Sequence, residues 1–172
     1  MKTWMKWVLY PAGSLVVLVA AAFAYGMTRP EEIKIALSMD IAAPPEKVFP
    51  LMADPREVQK WYPAIEKVEI LQEKPFRYRV LMDGQWGTME AVEVDAPRRL
   101  VTKSVGETMG ISGVWDFTVS PLVTAQGTGS KVQEIVTFRI GNPMMRTMVS
   151  MMDGTAEERK TMRMMKAYAE KN

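Results

Sequence analysis

The sequence predicts an α+β fold: a curved antiparallel sheet of about seven strands around a long C-terminal helix, with two short helices after the first strand and an N-terminal transmembrane helix. Three observations carry this. No charged residue stands between Trp7 and Met27. Runs of period-two hydrophobicity separated by turn signals fill the middle of the chain. A proline-punctuated stretch from Ile41 to Ile70 interrupts those runs once, and an apolar helical stripe closes the chain.

Taken in order, residues 1–6 are expected on the cytoplasmic side, 7–27 as the crossing helix, 28–32 as a linker and 33–172 as the globular domain. The uncharged run is close to the ~20 residues that cross a bilayer as a helix. Trp4, Trp7 and Tyr25 bracket it as interfacial anchors, and Lys2 and Lys6 keep the amino end inside. That places the domain at the outer, periplasmic or extracellular face of a bacterial-type cytoplasmic membrane. The competing reading is a signal peptide cleaved after Ala22-Phe23-Ala24, which would leave a secreted or periplasmic protein.

Ile33, Ile35, Leu37, Met39 and Ile41 alternate with smaller or polar residues, as a strand with one face in a core does. Pro44 and Pro45 open a short helix carrying Val48, Phe49 and Met52, since proline's missing N–H costs little in a first helical turn. Asp54-Pro55 is a cap followed by proline and starts a second helix that ends before Pro63. Further strands are expected at 68–71, 76–82, 86–95, 100–105, 114–120 and 131–140, with Asp83-Gly84 as a hairpin turn and Gln126–Ser130 as a glycine-bearing one. Asn142-Pro143 opens the last segment, Met144 to Lys171. Gly154 there weakens a helix, and Thr155 with Glu158 offers a fresh capping box, so the segment is expected to kink or restart. Met148, Met152, Ala156, Met162, Met165 and Ala169 form its apolar stripe.

Composition excludes more chemistry than any motif supports. The chain of 172 residues holds no cysteine and no histidine, so it builds no Ser-His or Cys-His pair, no thiolate or imidazole metal site and no disulfide. No metal and no cofactor is expected. Against 20 acidic residues stand 22 basic ones, and Lys2 and Lys6 account for the excess, so the globular part lacks the basic field of a nucleic-acid binder.

The stretch Ile41, Ala43, Pro44, Glu46, Val48, Phe49, Asp54, Trp61 and Pro63 resembles the opening of the SRPBCC superfamily, also called START-like, polyketide-cyclase-like or helix-grip proteins. The ending Met-Met-Lys-Ala-Tyr-Ala-Glu is similar to that family's close, and Asn-Pro-Met-Met-Arg to its membrane-anchored bacterial members. The resemblance runs from about residue 33 to 171. It implies a long terminal helix across the concave face of the sheet and a pocket for sterols, lipids or polyketides.

Two candidate sites follow. The first is a hydrophobic cavity beneath the final helix, lined by Trp61, Tyr78, Met82, Trp86, Trp115, Phe117, Phe138, Met148 and Met152. Half of the 16 methionines lie between Met144 and Met165, and unbranched, polarizable methionine re-packs around varied shapes. The same residues could instead fill a solid core. The second is a carboxylate pair, Glu90 and Glu134. Glu90 shares a strand face with Val92 and Val94, and Glu134 with Val136 and Phe138, so both would point inward as acid or base. The alternative is that a bulge turns them outward or that Arg77, Arg79 or Lys103 pairs with them. Trp61 is either a gate or an anchor for the short helices. Glu157, Glu158, Arg159, Lys160, Arg163 and Lys166 read as a solvated face or as contacts to anionic headgroups.

These readings converge on a membrane-anchored domain that binds or transfers a lipid or other hydrophobic small molecule without catalysis. Its partners are that ligand and, through residues 7–27, the membrane, with no nucleic acid. A cyclase or dehydratase using Glu90 and Glu134 and an envelope protein-interaction module are the alternatives.

Overall fold

A computed structural model of the chain describes residues 3–106, 110–124 and 127–172, with side chains from residue 13 onward and none for Thr124. Lys2, the side chains of Trp4, Lys6 and Trp7, and Gln126 of the expected turn lie outside the described residues. The elements run α1 (Thr3–Met27), β1 (Glu32–Ile41), α2 (Pro45–Val48), α3 (Pro50–Ala53), α4 (Pro55–Trp61), β2 (Ile65–Glu73), β3 (Phe76–Met82), β4 (Gln85–Asp95), β5 (Arg99–Ser104), β6 (Ile111–Thr124), β7 (Gly127–Ile140), α5 (Pro143–Ser150) and α6 (Gly154–Lys171).

Seven strands form one antiparallel sheet in the order β1-β7-β6-β5-β4-β3-β2. Strands β2 to β7 are a meander, and β1 closes against β7 in unbroken register from Glu32↔Arg139 to Ile41↔Ser130. The first two strands are therefore opposite edges of the sheet, and α2, α3 and α4 carry the chain from one to the other. The Asp83-Gly84 turn between β3 and β4 has both residues at positive φ, 49° and 71°, which suits the right-handed twist of a tight hairpin. Bulges in β2, between Ile65 and Lys67 and between Ile70 and Gln72, and in β4, between Ala91 and Glu93, bend that side of the sheet.

The core gathers where α6 and the short helices meet the concave face: Ile41, Val48, Phe49, Met52, Leu100, Val119, Val132, Met162, Met165 and Ala169. Fully burying each large member contributes about 1.5–3 kcal/mol. The far end of α6 is latched to the end of β1, where Ala42 N donates to Glu170 Oε1 at 2.8 Å and Lys166 Nζ to the Asp40 carbonyl at 2.7 Å.

Two expectations are revised. The first of the two short helices is split into α2 and α3, because Pro50 has no N–H to continue the ladder. The last segment is two helices. Asp153 caps α6 through the Ala156 amide, so the restart comes from the residue before Gly154 and not from a box at Thr155. Residues 28–32, expected as a linker, run directly into β1, which begins at Glu32, and are tied to α5. Arg146 on α5 is buried, and it donates to the carbonyls of Ile140 (2.8 Å) and Gly141 (3.0 Å) and to Glu31 Oε1 (2.7 Å). Beside it Thr147 Oγ1 donates to the Ala22 carbonyl of α1 at 2.6 Å. Gly26 admits this approach, since a Cβ there would stand 1.8 Å from the Pro143 oxygen. Among the described residues no helix is long and apolar enough to cross a membrane. The expected crossing helix 7–27 falls within α1, whose side chains are described only for its second half.

Candidate functional site

Between the sheet and α6 lies a hollow of about 580 Å³. Alternation along five strands supplies its walls. Tyr78, Val80 and Met82 of β3, Gly87 and Met89 of β4, and Leu100, Thr102 and Ser104 of β5 border it, followed by Gly113, Trp115 and Phe117 of β6 and Glu134 and Phe138 of β7. Val58 and Trp61 of α4 and Tyr62 just past its end close one side, and Glu157, Glu158 and Thr161 of α6 form the roof. The volume falls within the range of about 300–1,000 Å³ typical of small-molecule sites.

The aromatic wall is held in place by specific contacts. Trp115 and Phe138 meet edge to face, with centroids 5.7 Å apart. The Trp115 ring lies along β6 over Gly113, where a Cβ would come within 2.6 Å of Cη2, so only glycine leaves it that position. Trp61 both anchors and lines. Its Nε1 donates to the Leu51 carbonyl at 2.8 Å, tying α4 to α3 while its ring borders the cavity. Burial in this wall pushes the Tyr78 hydroxyl up to about 12, so it stays a neutral donor at physiological pH.

Of the nine residues expected to line the cavity, Trp61, Tyr78, Met82, Trp115, Phe117 and Phe138 do so. Trp86, Met148 and Met152 do not. Trp86 is on the convex face, beneath the Arg79 guanidinium at 4.3 Å from its centroid and near Lys67. Met148 and Met152 are largely exposed, because the break between α5 and α6 takes them out of phase with Met162 and Met165.

The two expected carboxylates part company. Glu90 lies on the convex face, bound by Arg77 and by Lys103 at 3.0 Å, and these partners hold its carboxyl below the usual range, Arg77 foremost. Glu134 points inward at 3% exposure, and its Oε2 has no hydrogen-bond partner. Burial first, and then repulsion from Glu158, pushes it up to about 8. Burial also raises Glu158, with Glu157 adding to the effect. The reading of Glu158 as part of a solvated face is thus corrected. It shares a helical stripe with Met162, Met165 and Ala169, spaced four, three and four residues apart, and that spacing is the signal that marks it as inward. Chemically, the site offers an apolar hollow with an uncharged carboxylic acid at its floor and a second carboxyl group in its roof.

A family model described as polyketide cyclase / dehydrase and lipid transport matches residues 32–170. Among solved structures, truncated norcoclaurine synthase from Thalictrum flavum aligns with a TM-score of 0.61 at 13% identity, over 78% of this chain and 91% of that one. The same enzyme in complex with dopamine and hydroxybenzaldehyde aligns at 0.60 and 10% identity, over 87% and 92%. Ara h 8.0201 aligns at 0.60 and 15%, over 82% and 99%. At these identities the likeness is one of fold. Comparison with curated protein sequences finds no match.

Proposed function

The chain belongs to the polyketide cyclase / dehydrase and lipid transport family, and from that premise we propose that it binds a lipid or other hydrophobic small molecule and carries it without chemical change. The observation that supports this best is the hollow beneath α6, walled by Trp61, Tyr78, Met82, Trp115, Phe117 and Phe138 and left unfilled by them. Release of water from such walls drives uptake, and their shape selects the occupant. In this reading α1 is a single-pass anchor that holds the domain at the outer face of a cytoplasmic membrane, as in membrane-anchored bacterial members. Its support is the uncharged run from Trp7 to Met27 and the outward exposure of Leu15, Val16, Val17, Leu18 and Val19.

Gly87 provides the test. It borders the cavity and a Cβ there meets nothing within 4 Å, so the side chain of Gly87→Leu starts in open space and projects into the cavity. Native mass spectrometry of the full chain in detergent-free nanodiscs is expected to show a lipid-mass adduct on the wild type and none on the plugged variant. The same adducts on both, or none on either after lipid loading, sink the carrier reading.

One observation favours a second reading. A carboxylic acid kept protonated in an apolar cavity, as Glu134 is, suits general acid–base catalysis. That reading requires turnover to vanish in Glu134→Gln and to survive in Glu90→Gln, whose carboxylate is on the other face.

A further inference from the structure

The carboxyl groups at the cavity have no basic counterpart there among the described residues. Three carboxylates border it, Glu134 from β7 and Glu157 and Glu158 from α6, and among the described residues no lysine or arginine does. The chain has cations to spare for carboxylates elsewhere. On the convex face Glu69 takes Lys67 and Arg79, Glu90 takes Arg77 and Lys103, and Asp116 takes Arg99. At the roof Glu157 has Lys160 at 3.6 Å, but among the described residues neither Glu134 nor Glu158 has an ion-pair partner. Glu134 is the sharper case, because its Oε2 is buried, unpartnered and on the cavity wall. Folded proteins rarely leave a buried carboxyl oxygen unbonded, since the loss costs about 1–3 kcal/mol. A buried carboxyl group with an unmet acceptor, bordering a hollow of ligand size, defines the chemistry of an occupant.

We infer that the cavity takes an amphiphile with a protonated amine head, which sits between Glu134 and Glu158 while its apolar body lies against Trp115, Phe117 and Phe138. This rests on the cavity being a ligand site, as proposed above, and adds the class of head group. An ammonium brings donors and no acceptor, so it satisfies both carboxyl groups at once. It is also drawn to the electron-rich faces of aromatic rings. A carboxylate head meets only acidic groups, and a hydroxyl has one proton to donate and satisfies no more than one of the two carboxyl groups.

The proton bookkeeping is specific. Burial and Glu158 push Glu134 up to about 8, so at neutral pH it holds a proton that pairing with an ammonium displaces: its O–H bond breaks, the proton goes to the buffer and the amine keeps its own. Among the described residues bordering the cavity there is no lysine or arginine to take the proton's place. Leu37 of β1 and Phe117 of β6 are its ladder neighbours, Glu157 and Glu158 face it from α6, and Tyr62 and Tyr78 stand on the wall. Amine binding therefore releases a proton, and binding of a neutral ligand does not.

Isothermal titration of the full chain with phenylbutylamine, phenylbutanol and phenylpentanoate, in two buffers of different ionisation heat at neutral pH, tests this on one skeleton. The amine is expected to bind about tenfold or more tighter than the alcohol, in line with a charge-assisted bond, and with proton release; the acid binds weakest. Glu134→Gln is expected to bring the amine within about twofold of the alcohol and abolish the release, and Glu158→Gln to narrow the gap. An amine no tighter than the alcohol in the wild type, or an advantage retained in Glu134→Gln, overturns the inference and leaves the cavity reading standing. If none of the three binds saturably, the cavity reading fails and this inference falls with it.

Discussion

Glu134→Gln is expected to change how stability depends on pH. In an open chain this carboxyl titrates near 4.5, and in the folded protein it is pushed up to about 8 by burial and by Glu158. Between those values the folded state holds a proton that the unfolded state has lost, so unfolding free energy falls as pH rises. The full contribution is present below about 4.5 and is progressively lost toward about 8. One pKa unit is worth about 1.4 kcal/mol, which caps the loss at roughly 4–5 kcal/mol; rotation of the side chain toward water in the cavity trims it to about 2–3 kcal/mol. Glutamine keeps the size of the side chain and cannot ionise. Urea denaturation should therefore find the two proteins within about 1 kcal/mol near pH 5, and the variant more stable by about 2–3 kcal/mol near pH 8.5. Parallel stability curves for wild type and variant across that range would refute the placement of Glu134 as a buried, unpaired acid.

Two further outcomes follow from the packing. Gly113→Ala puts a methyl group where the Trp115 ring lies, and is expected to destabilise by about 1–3 kcal/mol and to alter near-UV circular dichroism with the far-UV spectrum unmoved. An unchanged near-UV spectrum would mean that the ring lies elsewhere. Arg146→Ala leaves the carbonyls of Ile140 and Gly141 without their donor and the exposed Glu31 carboxylate to water, and is expected to lower stability by about 2–3 kcal/mol, with Arg146→Lys recovering only part. A loss under about 1 kcal/mol in thermal or urea melts would show the knot to be decorative.

The architecture was legible because its signals are local: alternation marks strands, Asp54-Pro55 and Asn142-Pro143 mark helix starts, and Asp83-Gly84 marks a hairpin. The wall residues Trp115, Phe117 and Phe138 followed from the same alternation. Errors arose where a count crosses a break. Counting back from Val92 and Val94 turns Glu90 inward, but the bulge between Ala91 and Glu93 reverses the phase of β4, leaving Glu90 opposite Lys103 on the convex face. The methionine stripe carried across residues 151–153 likewise placed Met148 and Met152 in the cavity, although α5 and α6 are separate helices with independent faces. Glu158 was readable from its spacing to Met162 and was obscured by the charged residues around it. The docking of α1 on α5 had no sequence signal at all, since Ala22, Gly26 and Thr147 have meaning only once they touch.

That docking bears on the anchor proposed for the N-terminal segment. A linker would let the domain wander like a float on a tether, sampling every bearing. Here the Arg146 knot and the Thr147 contact make the segment a bracket, so the direction faced by the α6 roof is set relative to the axis of the N-terminal helix. If α1 anchors the domain and the hollow takes a ligand, as proposed above, that ligand would reach the hollow from a constant direction, and exchange would depend on the roof yielding and not on the domain turning.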